Sequence, residues 1–207
     1  MRRPKLEKDM ILEAGACLFA EKGYASTSVR DISIELNVSI AALYYHFKNK
    51  EALLFNIIES IGNDLLDILN KIKEEPIDPL ERLSQMLSGH FGLLKNNRYK
   101  VKVYVEEQHN LSKKLKKIIY MQHRRIYDIY LDQLKELKRL KIISSDPLSV
   151  AAFAMFGIVN WTYRWYKEND ILTIDDVAQR LIDVYFHGII NTEKRSSPGC
   201  NKLENTE

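Results

Sequence analysis

Five histidines, a pair of adjacent glutamates and two cysteines are the residues of this 207-residue chain best suited to chemistry. His46, His90, His109, His123 and His187 are scattered. No HExxH run brings two imidazoles onto one helical face around a zinc ion. Glu106-Glu107-x-His109 comes nearest to a ligand set, but on a short helix such a run reads as solvent-facing surface. The chain has no glycine-rich phosphate loop and no G-x-S-x-G elbow. Cys17 and Cys200 lie near opposite ends without C-x-x-C spacing, which argues against a disulfide framework and for a reducing compartment. The expectation is a protein that is not an enzyme, with no catalytic residue, no metal ligand and no cofactor.

Binding chemistry remains, in two groups. Ser39, Ala41, Ala42, Tyr44, Tyr45 and His46 fall on one short segment. Small residues there permit close approach to base edges or thymine methyls, and Tyr and His can donate to phosphates. His90, Phe91, Tyr104, His123, Tyr127, Trp161 and Trp165 are spread over the second half. Together they suggest a roomy apolar cavity with a few polar groups, although each taken alone equally fits core packing.

Helices must position both groups. Apolar residues recur with a helical period almost everywhere and no stretch alternates like a half-buried strand. Eight glycines and five prolines suit long helices joined by short turns. The spacing predicts helices over about residues 6–22, 28–36, 39–47, 49–75, 79–94, 101–108, 112–141, 146–165 and 173–188. Ser28 with Asp31, Ser39, Asn49, Asp78-Pro79, Ser112, Asp146-Pro147 and Thr173 with Asp176 serve as starts. The two short helices joined at Leu36-Asn37-Val38-Ser39 fit a helix-turn-helix, with Val29, Ile32, Leu36, Val38, Leu43 and Phe47 fixing their angle. Periodicity alone fits a plain helical hairpin as well.

The residues themselves decide between these. Ala20-Glu21-Lys22-Gly23-Tyr24, Thr27-Ser28-Val29-Arg30-Asp31-Ile32, Val38-Ser39 and the run from Leu43 to Leu53 closely resemble the DNA-binding domain of the TetR/AcrR family of repressors. The resemblance spans residues 10–55. It implies that Ser28 and Arg30 face the DNA backbone and that Ser39, Ala41, Ala42, Tyr44, Tyr45 and His46 form the recognition helix. Lys50 would contact phosphate. Ala41 and Ala42 depart from the glycine or lysine common in the family, so few side chains there can read a base in bidentate fashion.

The implied architecture is all-α: an N-terminal three-helix helix-turn-helix domain (residues 1–52) and a C-terminal ligand-binding and dimerisation bundle (residues 53–191). It has about nine helices in total, followed by a disordered tail (residues 192–207). The last two helices would pair with their copies in a homodimer. Ala151, Gly157, Val184, Tyr185, Gly188 and Ile189 suit either that interface or ordinary core. The segment Asn160–Lys167 with Leu172-Thr173 resembles regulators of fatty-acid and sterol degradation that respond to acyl-CoA thioesters. Arg124, Arg125 and Arg164 are then candidates for the phosphates. The run Lys113-Lys114-Leu115-Lys116-Lys117 reads as a solvated face.

The expected function is a transcriptional repressor released from a palindromic double-stranded operator by a small-molecule inducer. That inducer is an acyl-CoA thioester or, in its place, a drug-like hydrophobic molecule or a protein partner. A net charge of +3 permits DNA binding without demanding it. The longest apolar stretch falls well short of the roughly 20 residues a bilayer span needs, so no membrane role and a cytoplasmic location are expected.

Overall fold

The computed structural model describes residues 8–144, 147–167 and 171–187, apart from the Asn96 side chain. The expectations for Asp146, Gly188, Ile189, Cys200 and the tail lie outside the described residues. Within them the chain is all helix: α1 (Lys8–Lys22), α2 (Val29–Glu35), α3 (Ile40–His46), α4 (Lys50–Lys73), α5 (Pro79–Glu106), α6 (Lys113–Arg139), α7 (Leu148–Trp165) and α8 (Ile174–His187). A 3-10 turn, Gln108–Asn110, links α5 to α6.

Local chemistry sets most of the starts. Ser28 and Asp31 form a reciprocal capping box: the Asp31 N–H donates to Ser28 Oγ at 3.2 Å and the Ser28 N–H donates to Asp31 Oδ2 at 2.7 Å. Thr173 and Asp176 repeat it before α8. Ser39 Oγ accepts from the Ala42 N–H, Asn49 Oδ1 from Ala52, and Asp78 Oδ1 from Leu80, with Pro79 opening α5. Ser112 precedes α6 but its side chain caps nothing. Its N–H instead donates to Glu51 Oε1 of α4 at 2.6 Å.

Nine helices form among the described residues, counting the 3-10 turn, but the chain divides differently from the spacing. The segment expected as a separate helix at residues 101–108 continues α5 beyond a kink at Asn97, whose φ of −130° and ψ of 25° leave the helical region. Neither glycine nor proline interrupts the chain there, so it bends without stopping.

Two hydrophobic cores share α4. Its first half supplies Leu53, Leu54, Ile57 and Ile58 to a core with Ile11, Phe19, Ile32, Leu43 and Phe47. Its second half supplies Ile61, Leu65, Leu66 and Leu69 to a core with Leu83, Met86, Phe91, Tyr130 and Met155. Polar struts tie the halves together. Lys102 Nζ donates to the Ala20 carbonyl at 2.7 Å, the Tyr24 N–H donates to Glu107 Oε1 at 3.3 Å, and Lys100 pairs with Glu13.

Candidate functional site

The turn between α2 and α3 is built for a tight corner. Asn37 takes a positive φ of 52°, a conformation Asn tolerates better than most residues, and the Val38 N–H donates back to the Ser33 carbonyl at 3.0 Å. Leu43 and Phe47 are buried beneath α3, which leaves its other side to solvent. Ser39, Ala41, Tyr44 and Tyr45 are exposed, Tyr45 by 86%, while Ala42 and His46 are half-buried. Ser28 and Arg30 are exposed at the start of α2. Of the residues expected at DNA, Ser28, Arg30, Ser39, Ala41, Tyr44 and Tyr45 are thus exposed, and Ala42, His46 and Lys50 are half-buried.

Lys50 is held within the protein. Its ammonium donates to the carbonyls of Tyr24 and Thr27 at 2.8 and 2.7 Å and lies 4.1 Å from the Tyr24 ring centroid. Three interactions tie this cation to the α1–α2 connection. Thr27, given no role of its own by the sequence, braces the same connection, with its hydroxyl donating to the Leu18 and Gly23 carbonyls. Ile34 and Ile40 were also missed. They are exposed beside the recognition surface, where apolar residues would ordinarily be taken for core.

In the second half, a cavity of about 370 Å³ opens between α4, α5, α6 and α7. Of the residues expected around a ligand it gathers His90, Tyr104, His123 and Tyr127, and it adds Phe153, Phe156 and Asn160 from α7. Those three additions follow an i, i+3, i+7 spacing that marks one helical face. Among its described lining residues there is no Asp, Glu, Lys or Arg. Burial holds His90 well below the usual imidazole range, at about 4, lowers His123 as well, and raises the Tyr104 phenol. His90 Nδ1 lies 3.3 Å from the Tyr130 hydroxyl, whose proton goes to the Met86 carbonyl at 3.1 Å. His123 stands edge-on to Tyr104, and its buried Nε2 has no partner.

The other expected ligand residues lie elsewhere. Phe91 follows His90 by about 100° of helical rotation and is buried in the core against α7 and α8. Arg124 and Arg125 follow His123 and point to solvent, Arg124 pairing with Asp128 in its own helix. Trp161 and Trp165 are 58% and 46% exposed. Arg164 reaches a second space, a cleft of about 920 Å³ between the C-terminal end of α1 and one face of α5. Lys95, Arg98 and Lys102 line that cleft with it, and Arg98 has no partner among the described residues. Arg164 donates to Glu106 Oε1 at 3.1 Å and stacks 4.8 Å from a Trp161 ring centroid. Glu106 Oε1 thus accepts from both Arg164 and the Tyr163 hydroxyl.

Comparison with known proteins places this geometry. A model of bacterial regulatory proteins of the tetR family matches residues 11–57, and a model of the tetracyclin repressor-like C-terminal domain matches residues 76–189. The HTH-type transcriptional repressor KstR2 of Mycolicibacterium smegmatis is 24% identical over 92% of this chain and 94% of its own length. Among solved structures, AibR in complex with isovaleryl coenzyme A and operator DNA superposes with a TM-score of 0.78. It is 26% identical over 86% of this chain and 97% of that one. The regulator PfmR of Thermus thermophilus superposes with a TM-score of 0.82, at 27% identity over 87% of this chain and 99% of that one.

Proposed function

The chain belongs to the TetR family of bacterial regulatory proteins, and from that premise we propose that it is a homodimeric repressor released from a palindromic operator by an acyl-CoA thioester. Membership of a family of transcriptional regulators sets an enzymatic role aside. Residues 1–52 act as the DNA-binding domain and residues 53–191 as the ligand-binding and dimerisation domain. The protein works in the cytoplasm, where operator and metabolite are both at hand. No described helix is long and apolar enough to cross a membrane.

The observation that carries the reading is α4. Its first half packs on α1 within the N-terminal core, where Leu53 lies with Leu43 and Phe47 around one small void, and through Leu65 the helix also walls the cavity. A ligand that displaces the second half of α4 would shift the N-terminal core on which the recognition helix rests. On DNA, Tyr44, Tyr45, Ser39 and Ala41 enter the major groove while Ser28 and Arg30 meet the backbone. Two-fold symmetry comes from an exposed stripe on α7, Val150, Ala154, Gly157 and Trp161, continued by Val184 on α8. A Cβ on Gly157 would meet nothing within 4 Å, so that position is open to a second helix.

The absence of charge around the cavity favours a thioester over a hydrophobic cation, because an unpaired charge is costly to bury. Asn160 at the cavity sits one helical turn from Arg164 at the cleft. The neutral acyl portion can therefore enter the first while the phosphates meet Arg98 and Arg164 in the second. Titrating the protein–operator complex with CoA thioesters, free CoA, free fatty acids and a hydrophobic cation tests this by fluorescence anisotropy. Release by acyl-CoA alone, weakened in an Arg98→Ala, Arg164→Ala double variant, is expected. Indifference to every CoA ester, with release by the cation, would end the reading.

A further inference from the structure

Resting on the acyl-thioester reading, we propose that His123 is the specificity-determining residue of the cavity, donating from Nε2 to a carbonyl oxygen in the buried part of the ligand. Two observations carry the assignment. The first is the unsatisfied nitrogen. His123 is one of the residues lining the 370 Å³ cavity, and its Nε2 is buried without any hydrogen-bond partner. Leaving such an atom unpaired is costly, and natural structures hold few of them. Of the other polar groups there, His90 Nδ1 meets the Tyr130 hydroxyl and Gln108 Nε2 donates to the Tyr104 carbonyl, while the Tyr104 and Tyr127 hydroxyls and the Asn160 amide also line the cavity.

The second observation concerns what can satisfy that nitrogen. Neither a cation nor a carboxylate lines the cavity among the described residues, so a charged ligand group would enter without a counter-charge. Burial also keeps His123 in its neutral form, in which one nitrogen donates and the other accepts. A neutral acceptor matches a neutral donor here, and a carbonyl between an apolar chain and a polar head supplies such an acceptor. The Tyr104 ring, 5.2 Å from the imidazole by centroid, holds the side chain in orientation. His123 therefore separates esters, thioesters and ketones from hydrocarbons of the same shape and from ionised acids.

The test uses matched pairs of probes: acyl-CoA thioesters from short to long chain, and the S-alkyl-CoA thioethers of equal length that lack only the carbonyl oxygen. Calorimetric titration of the wild-type protein should show the best-bound thioester preferred over its thioether on the order of ten-fold. His123→Phe should erase that preference, and His123→Gln, which keeps a donor, should restore part of it. If His123 merely packs, both probes weaken together in the Phe variant and the preference survives, which overturns the assignment. Thioester and thioether bound equally by the wild type overturns it too, while leaving the acyl-CoA reading standing. Binding of neither probe overturns both. Nitrogen-15 spectra of the wild-type imidazole give a readout independent of variant folding: Nε2–H should shift with thioester and stay in place with thioether.

Discussion

The two cores draw on similar residues and are packed to different ends. Around α1–α3 and the first half of α4, Ile11, Phe19, Ile32, Leu54, Ile57 and Ile58 are almost wholly buried, and the void beside the recognition helix is only about 10 Å³. Around the second half of α4, a core with a comparable set of aliphatics leaves about 370 Å³ of open space, lined mainly by aromatic and polar side chains. The first core fixes the attitude of a helix that must match a groove, so looseness there would cost recognition directly. The second gives up close packing on one side, and a ligand can recover what that side lacks. Function is visible as much in where packing is withheld as in where it is complete.

Removing one aromatic ring from each core is the harshest way to break this comparison. Phe19→Ala should lose about 3–5 kcal/mol in denaturant unfolding and abolish operator binding. Phe156→Ala, on the cavity wall, should lose roughly 1–2 kcal/mol, because its ring is already short of neighbours on one face. Equal losses would mean that the cavity wall is as tightly held as the first core.

Acidification probes the second core alone. An unfolded imidazole takes up a proton below about pH 6.5, whereas buried His90 resists it down to about 4. The unfolded state therefore binds more protons across that window. Stability, complete above pH 6.5, should fall as the pH drops toward 4, by up to about 3 kcal/mol. His90→Phe should flatten that part of the pH–stability curve. An unchanged slope would show that His90 is solvated after all.

The mildest effect sharpens the comparison at the edge of the first core. Lys50→Ala removes two charge-assisted bonds to the Tyr24 and Thr27 carbonyls and should cost about 1–2 kcal/mol of stability. Since the ammonium faces protein, the dependence of DNA affinity on salt should keep its slope. A fall of roughly one unit per subunit would return Lys50 to the phosphates.

How much the sequence discloses varies with the range of the interaction. Caps involve residues three apart, so Ser28, Ser39, Asn49, Asp78 and Thr173 are readable directly, and the all-α architecture follows with them. Ser112 shows the limit: its bond goes to Glu51, sixty-one positions away. The bend at Asn97 carries no glycine or proline to announce it. In the cavity, His90 and His123 occupy the wall while their immediate neighbours Phe91, Arg124 and Arg125 do not. Residue type is visible in a sequence, but which helix face meets which neighbour is a tertiary outcome. Trp161 and Trp165 mislead for the same reason, since an indole on the outside reads like one within. The spacing of Phe153, Phe156 and Asn160 was available and is the signal that names the missing wall.

Helix α4 also bears on how the molecule folds and melts. Its first two turns and a half are the floor of the N-terminal core, so a fragment ending at residue 52 would expose Ile11, Phe19 and Leu43 by losing Leu53, Leu54, Ile57 and Ile58. One ending near residue 60 would keep them. Because the remaining turns of the same helix belong to the other core, neither core can unravel its portion without fraying the neighbour's. The two should therefore melt as one cooperative unit, with the protection against unfolding gained by filling the cavity shared by the helix that reads DNA.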